Sequence, residues 1–297
     1  MTAFTTIRHE VQDGILTLYL DRPDQLNAFT VQMADELEQT FVEVNHDDSV
    51  HAIIVTGEGR AFCAGMDLSS DGNVFGLDES QTPTLADMQD LDDPRLARIR
   101  DTGGRVTLAI NACRKPVIAA INGAAVGIGA TMTLAMDARL MSSKARFGLV
   151  FGRLGIVPEA CSTWFLPRLV GMPAALDLVY RADILDAEAA REVGLAQAVH
   201  APDDLLAEAR SLADAWTAGR SAVSVALMRQ MLYRNAATEH PVEAHRVDSL
   251  AMFYTSIGDG HEGVAAFLDK RDPAFTAGAS QMPPFYAEWT GRSDIPS

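Results

Sequence analysis

Lys115-Pro116-Val117-Ile118-Ala119-Ala120-Ile121-Asn122-Gly123-Ala124-Ala125-Val126-Gly127-Ile128-Gly129-Ala130 is the stretch whose reading decides the fold. A short apolar run closed by Asn-Gly predicts a buried strand over 116–121. Small residues follow and lead into a helical Thr131–Met136. An earlier stretch has the same layout: the apolar run Ala52–Thr56 leads directly into Gly59-Arg60-Ala61-Phe62-Cys63-Ala64-Gly65-Met66-Asp67-Leu68. In both, small residues let another group come close to the backbone. The second turn opens a helix, whose first N–H groups have no partner within the helix. Two such turns on neighbouring strands would place two N–H donors around one carbonyl oxygen. That arrangement is an oxyanion hole, suited to an enolate or a tetrahedral oxyanion, with each donor worth about 10²–10³ in rate. Spacing alone leaves the plainer reading open, that these are ordinary strand–turn–helix joints. Gly127-Ile128-Gly129 matches neither a dinucleotide nor a P-loop fingerprint.

Outward from these turns, strands and helices alternate. Ile15–Leu20 reads as a strand closed by Asp21-Arg22-Pro23-Asp24. Helical spacing from Phe29 to Val44 puts Met33, Leu37, Phe41 and Val44 on one face, with Thr30 as N-cap. This order predicts a sheet layered with helices. A helix is expected from about Pro94 to Cys113, interrupted at Gly103-Gly104. A short strand is expected at Ala138–Ser142, then helices at Ala160–Leu169 and Ala174–Tyr180. Beyond about Pro202 the pattern is almost wholly helical, for example Leu205–Trp216 and Val223–Leu232, ending in an irregular tail with Pro283-Pro284 and Pro296. Residues 69–94 form a polar, acidic stretch, expected as a surface insertion, with pocket gating or acyl-chain discrimination as the functional alternative.

Composition narrows the function classes. The chain has 297 residues, 48% hydrophobic and 22% charged, the balance of a globular protein with a sizeable core. No run of eighteen uncharged apolar residues occurs, so no membrane partner is expected, and the N-terminus lacks a secretory pattern. The net charge of −16 without a Lys/Arg block speaks against a nucleic-acid partner. Cys63, Cys113 and Cys161 are too far apart for a disulfide framework or a zinc site and read as small buried residues; a cytoplasmic location fits them. No metal site is expected.

At the glycine turns the chain resembles the crotonase family, also called the enoyl-CoA hydratase/isomerase family, over nearly its whole length. Four motifs carry the resemblance in order: Asp21-Arg22-Pro23 with Leu26-Asn27-Ala28; Ala61 to Leu68; Lys115 to Gly123 followed by Gly127-Ile128-Gly129; and Glu262-Gly263 through Ala266-Phe267 with Lys270-Arg271, Pro273 and Phe275. The resemblance implies an α/β fold, a crotonase-like spiral of ββα units. Residues 1–201 would form the core with the acyl-CoA site, and residues 202–297 a C-terminal helical trimerisation region and tail. It implies oxyanion donors at the backbone N–H groups of Met66 and Ile128. By analogy Leu26, Ala28, Ala64, Asp67 and Leu68 would line the coenzyme A side. Phe267 and Lys270 would reach the adenine end, of the same or of a neighbouring subunit, although Phe267 equally suits plain helix packing. The implied partners are an acyl-CoA thioester and other copies of the chain, as a trimer or dimer of trimers. No separate cofactor is implied, since coenzyme A belongs to the substrate.

The family's hydratases use two glutamates, at positions held here by Thr131 and Phe151. Threonine is a poor general base at neutral pH and phenylalanine carries no proton. A two-carboxylate hydration is therefore not expected. Glu159, in Gly155-Ile156-Val157-Pro158-Glu159-Ala160-Cys161-Ser162, resembles the single catalytic glutamate of the family's enoyl-CoA isomerases. Apolar neighbours would raise its pKa, while a helix N-terminus would lower it. Locally, Pro-Glu is also an ordinary helix start. The expected activity is isomerisation of 3-enoyl-CoA to trans-2-enoyl-CoA through a dienolate, with Glu159 as proton shuttle. The alternatives are a 2-enoyl-CoA hydratase of fatty-acid β-oxidation, an acyl-CoA hydrolase, and a non-catalytic acyl-CoA-binding protein.

Overall fold

The computed structural model describes residues 4–69, 72–91 and 93–291. The strands are β1 (Ile7–Gln12), β2 (Ile15–Leu20), β3 (Ala52–Gly57), β4 (Ala61–Cys63), β5 (Val117–Ile121), β6 (Ala124–Val126), β7 (Ala138–Ser142), β8 (Arg146–Gly148), β9 (Ile184–Asp186) and β10 (Ala198–His200). Among the described residues they form two sheets, one in the order β1-β2-β3-β5-β7-β10 and one in the order β4-β6-β8-β9. In the first sheet β1 and β2 make an antiparallel hairpin, and the strands from β2 onward run parallel. Parallel strands are covered on both faces, which accounts for the unbroken apolar runs of β3 and β5.

The chain moves from the first sheet to the second three times, at β3–β4, β5–β6 and β7–β8, and each time returns through helices. These are the ββα units expected from the resemblance. The helices are α1 (Val31–Glu43), α2 (Thr102–Ala112), α3 (Ile128–Thr131), α4 (Ser162–Val170), α5 (Met172–Arg181), α6 (Ala187–Glu192), α7 (Leu205–Thr217), α8 (Ala222–Asn235), α9 (Pro241–Ile257), α10 (Asp259–Asp269) and α11 (Phe285–Thr290). Thr30 caps α1, its Oγ1 accepting from the Met33 amide at 3.1 Å.

One face of the first sheet joins α1, α2 and the small second sheet in the main core, around Phe29, Phe41, Phe62 and Phe147. On the other face, Ile15, Ile54, Ile118 and Leu140 pack against Leu205, Ala209 and Ala213 of α7. Helices α8, α9 and α11 share a smaller core that includes Val223, Leu227, Val247 and Phe285. Arg229 of α8 ties this layer to the sheet. Its buried guanidinium pairs with Asp137 at 2.8 Å and donates to the carbonyls of Ile110, Asn111 and Cys113. A buried pair of this kind holds only because its remaining donors are also satisfied.

Three helix expectations need correction, the one at Ala160–Leu169 because α4 spans Ser162–Val170. Between Pro94 and Cys113 only Thr102–Ala112 is α-helical, with a 3₁₀ turn at Pro94–Leu96. Asp101 stops the helix from extending backward by capping it, Oδ1 accepting from the Gly103 amide at 2.9 Å, so Gly103-Gly104 open α2 rather than interrupt it. The expected helix at Thr131–Met136 begins earlier, at Ile128, and continues as a 3₁₀ turn over Met132–Ala135. In the expected 69–94 insertion, residues 70, 71 and 92 lie outside the described residues, as does the Pro296 tail.

Helix α3 packs against β4 at Gly129, where an added Cβ would lie 2.1 Å from the Cys63 carbonyl oxygen. Backbone cannot yield there as the tip of a side chain can. Gly129→Ala is expected to lower the unfolding midpoint in urea, at a cost of about 1–3 kcal/mol typical of overpacking.

Candidate active site

The two glycine turns lie side by side because β4 and β6 pair in parallel, Ala61 opposite Ala124 and Cys63 opposite Ala125. After β4, the Phe29 amide donates to the Gly65 carbonyl at 2.7 Å and the Asp67 amide to the Phe29 carbonyl at 2.8 Å. These bonds bracket Met66 and leave its own N–H without an internal acceptor among the described residues. After β6, Gly127 takes a φ of 55° that a side chain would resist. Its amide donates to the Gly148 carbonyl at 2.9 Å. The next amide, that of Ile128, again has no internal acceptor among the described residues. Backbone donors without partners are rare unless water or a ligand reaches them. Met66 and Ile128 line one cavity of about 600 Å³, mostly apolar, with Leu68, Phe75, Phe151 and Ile156 on its wall.

Glu159 lies on the same wall. The expectation that it opens a helix is corrected: Ala160 and Cys161 adopt left-handed backbone, φ 58° and 52°, and α4 begins only at Ser162. Glu159 therefore precedes α4 instead of forming its first turn. Two contacts hold the turn. The Ser162 amide donates to the Glu159 carbonyl at 3.0 Å, and the Ala160 amide donates to Asp101 Oδ2 at 2.7 Å. Glu159 Oε1 accepts from Thr131 Oγ1 at 2.6 Å, while Oε2 is buried with no hydrogen-bond partner. An added Cβ at Gly103 would stand 2.0 Å from Oε2, so this glycine makes room for the carboxyl.

Burial raises the pKa of Glu159, and the neighbouring Asp101 charge adds to the effect; together they outweigh the Thr131 hydrogen bond and bring it to about 9. Desolvation thus prevails over the opposing helix effect, because Glu159 stands outside the helix. The two nearby thiols, Cys63 and Cys161, are also pushed up by burial.

The other expected site residues fall into three groups. Ala64 and Leu68 line the cavity. Leu26, Ala28 and Asp67 brace the first turn from behind: the Leu26 carbonyl accepts from the Ala64 amide at 3.1 Å, and Arg22 donates both to the Ala28 carbonyl and to Asp67 Oδ2. Hydrogen bonds from Ser69 and Arg22 hold the Asp67 carboxyl down at about 2, so it is a fixed anion of the scaffold. Phe267 and Lys270 lie on and just after α10, away from the cavity wall of the same chain, with Phe267 83% exposed. Phe151, at the second of the two hydratase positions, is an apolar part of the wall, and Thr131 serves as hydrogen-bond donor to Glu159. Asp101, Gly103, Phe75 and Leu77 also line the cavity and had not been singled out from the sequence. Asp101 falls inside the helix expected over Pro94–Cys113, and nothing local to it points toward Glu159. Among the described residues no cluster of His, Cys, Asp and Glu could hold a metal ion, and no helix is long and apolar enough to cross a membrane.

The family model described as enoyl-CoA hydratase/isomerase matches residues 10–278. An enoyl-CoA hydratase of Alternaria alternata is 38% identical over 266 residues, covering 89% of this chain and 83% of that protein. The 1,2-epoxyphenylacetyl-CoA isomerase of Escherichia coli is 33% identical, covering 91% and 98%. The crystal structure of an enoyl-CoA hydratase from Bacillus anthracis superposes with a TM-score of 0.79 at 28% identity, covering 91% of this chain and 99% of that one. The paired glycine turns, the ββα spiral and these likenesses agree, and the chain belongs to the enoyl-CoA hydratase/isomerase family, the crotonases.

Proposed function

We propose that this protein isomerises a 3-enoyl-CoA to the trans-2-enoyl-CoA, with Glu159 as its single proton carrier. The observation that carries the reading is the buried Glu159 carboxyl, with one oxygen unpaired, on the cavity wall that also bears the free amides of Met66 and Ile128. The thioester oxygen accepts from both amides, which stabilises the negative charge that develops on it. Ionised Glu159 takes a proton from C2. The C–H electron pair forms the C1–C2 double bond of a dienolate, and the former thioester carbonyl bears the charge. The dienolate then collapses: the carbonyl re-forms, the double bond settles between C2 and C3, and C4 takes the proton back from Glu159. No water enters the balance, and one base suffices because it serves both carbons from one side. The apolar wall, including Phe151 and Ile156, suits an acyl chain and keeps the carboxylate poorly solvated. Assembly as a trimer or dimer of trimers is part of the same proposal; Met252, Phe253, Ile257, Val264 and Leu268 of α9 and α10 expose the apolar surface that such a contact would cover.

A second reading, hydration of a 2-enoyl-CoA, is favoured by the hydratase names of relatives in Alternaria alternata and Syntrophomonas wolfei and by Asp101 as a second carboxyl on the wall. The two differ in product, since hydration gives a 3-hydroxyacyl-CoA.

Glu159→Gln, assayed on 3-enoyl-CoA by following trans-2-enoyl-CoA, is expected to lower kcat by about 10²–10⁴, the usual contribution of a general acid–base group. A wild-type kcat in this variant removes the proton-shuttle reading. Because the base must be ionised, kcat/KM of the wild type is expected to climb with pH above the ordinary carboxylate range. Stability should move the opposite way. The folded chain holds the Glu159 proton more tightly than the unfolded chain does. Its contribution is therefore full below 4.5 and is lost as pH rises toward about 9. Glu159→Gln is expected to flatten that fall in Tm, measured by thermal unfolding across the same pH range.

A further inference from the structure

We propose that Asp101 is the partner carboxyl of Glu159: the two share one proton, held between Glu159 Oε2 and Asp101. The inference rests on Glu159 being the proton carrier and names the residue that sets its proton affinity.

The geometry begins at the backbone. Asp101 caps α2 and with its other oxygen accepts the Ala160 amide, the residue next to Glu159. Both carboxyl groups line the same cavity and flank Gly103: its amide donates to Asp101 Oδ1 at 2.9 Å, and an added Cβ there would stand 2.0 Å from Glu159 Oε2. Two ionised carboxylates offer four acceptor oxygens and no hydrogen, so such a contact exists only when one of them is protonated. As an anion, Glu159 Oε2 is buried without a partner. Protonated, it gains Asp101 as acceptor. The asymmetry of the pair decides which group carries the hydrogen. Asp101 is exposed and already accepts two backbone amides, whereas Glu159 Oε2 is buried and Oε1 accepts a single hydroxyl, so burial keeps the hydrogen on Glu159.

The remaining groups around the pair do not compete for this role. Thr131 on α3 is a neutral donor to Oε1. Cys63 on β4 and Cys161 before α4 are thiols that burial keeps protonated. Arg100, whose charge is felt at Cys161, turns its Nη1 to the Leu91 carbonyl at 2.9 Å. Asp101 acts through Glu159 and is therefore a positioning residue.

The test is a carbon-13 NMR titration of the Glu159 carboxyl in the full-length protein, assigned with Glu159→Gln, in wild type, Asp101→Asn and Asp101→Ser. Both variants at Asp101 keep an oxygen able to cap α2 but remove the charge. The expected result is a drop of at least about one pH unit in the Glu159 titration, a tenfold loss of proton affinity, with Asp101→Glu restoring it. The acidic limb of kcat/KM should move down by the same amount, which loss of a merely structural contact would not produce. An unshifted Glu159 titration in either folded variant overturns the pairing, even if isomerase activity is confirmed. A shifted titration in a protein that turns over no 3-enoyl-CoA upholds the pairing and removes the isomerase reading.

Discussion

The parallel pairing of β4 with β6 is the contact from which the site geometry follows. Each strand is only three residues long, and each belongs to a different ββα unit. Where they meet, side chains are excluded: at Gly123 an added Cβ would stand 2.1 Å from the Arg60 carbonyl oxygen, and at Gly129 equally close to that of Cys63. Asn122 joins the strand ends, donating to the Gly57 and Gly59 carbonyls and accepting from the Gly57 amide. With the backbones locked at this spacing, the chain leaves each strand by a turn that bears an amide, that of Met66 or Ile128, with no internal acceptor among the described residues. A donor that belongs to the backbone is indifferent to its side chain, so Met66 and Ile128 need no polar side chain there.

Glu159 gains its reactivity from what surrounds it rather than from its own residue type. A solvated glutamate would be ionised and weakly basic at neutral pH. Here the left-handed pair Ala160-Cys161 delays the helix to Ser162, and Glu159 lies on a mostly apolar wall, where Gly103 leaves its carboxyl space and Thr131 orients one oxygen. Backbone strain at two non-glycine residues is held by hydrogen bonds on both sides of the turn. Strain of this kind commonly accompanies a functional group that local preference would not place there.

Much of the fold was legible because the large elements obey local rules. The strand Ala138–Ser142 appears with the bounds read from its apolar run, and Thr30 caps α1 as its position suggested. Helix α2 was misread because apolar spacing continued through Asp101, where a side chain bonding back to the backbone ended it. Of the second sheet, β4 and β6 fall in stretches that read as small-residue turns, and β8 and β9 carry no signal, since three-residue strands are too short to show a period. For the site, the residues in ordered motifs were visible: the two glycine turns and the glutamate after Val157-Pro158. Phe75 and Leu77 were not, because they reach the cavity from a segment whose composition reads as solvated surface.

The sequence by itself determined the family, the succession of strand, turn and helix, and the absence of carboxylates at Thr131 and Phe151, since each of these is a matter of residue type and near-neighbour order. Only the tertiary structure decided which groups share a dielectric environment. It brought Asp101 against Glu159, left one carboxyl oxygen buried and unpaired, and lifted the proton affinity of Glu159. Proton affinity depends on burial and on charges a few ångströms away, and those distances are set by packing between segments far apart in the chain.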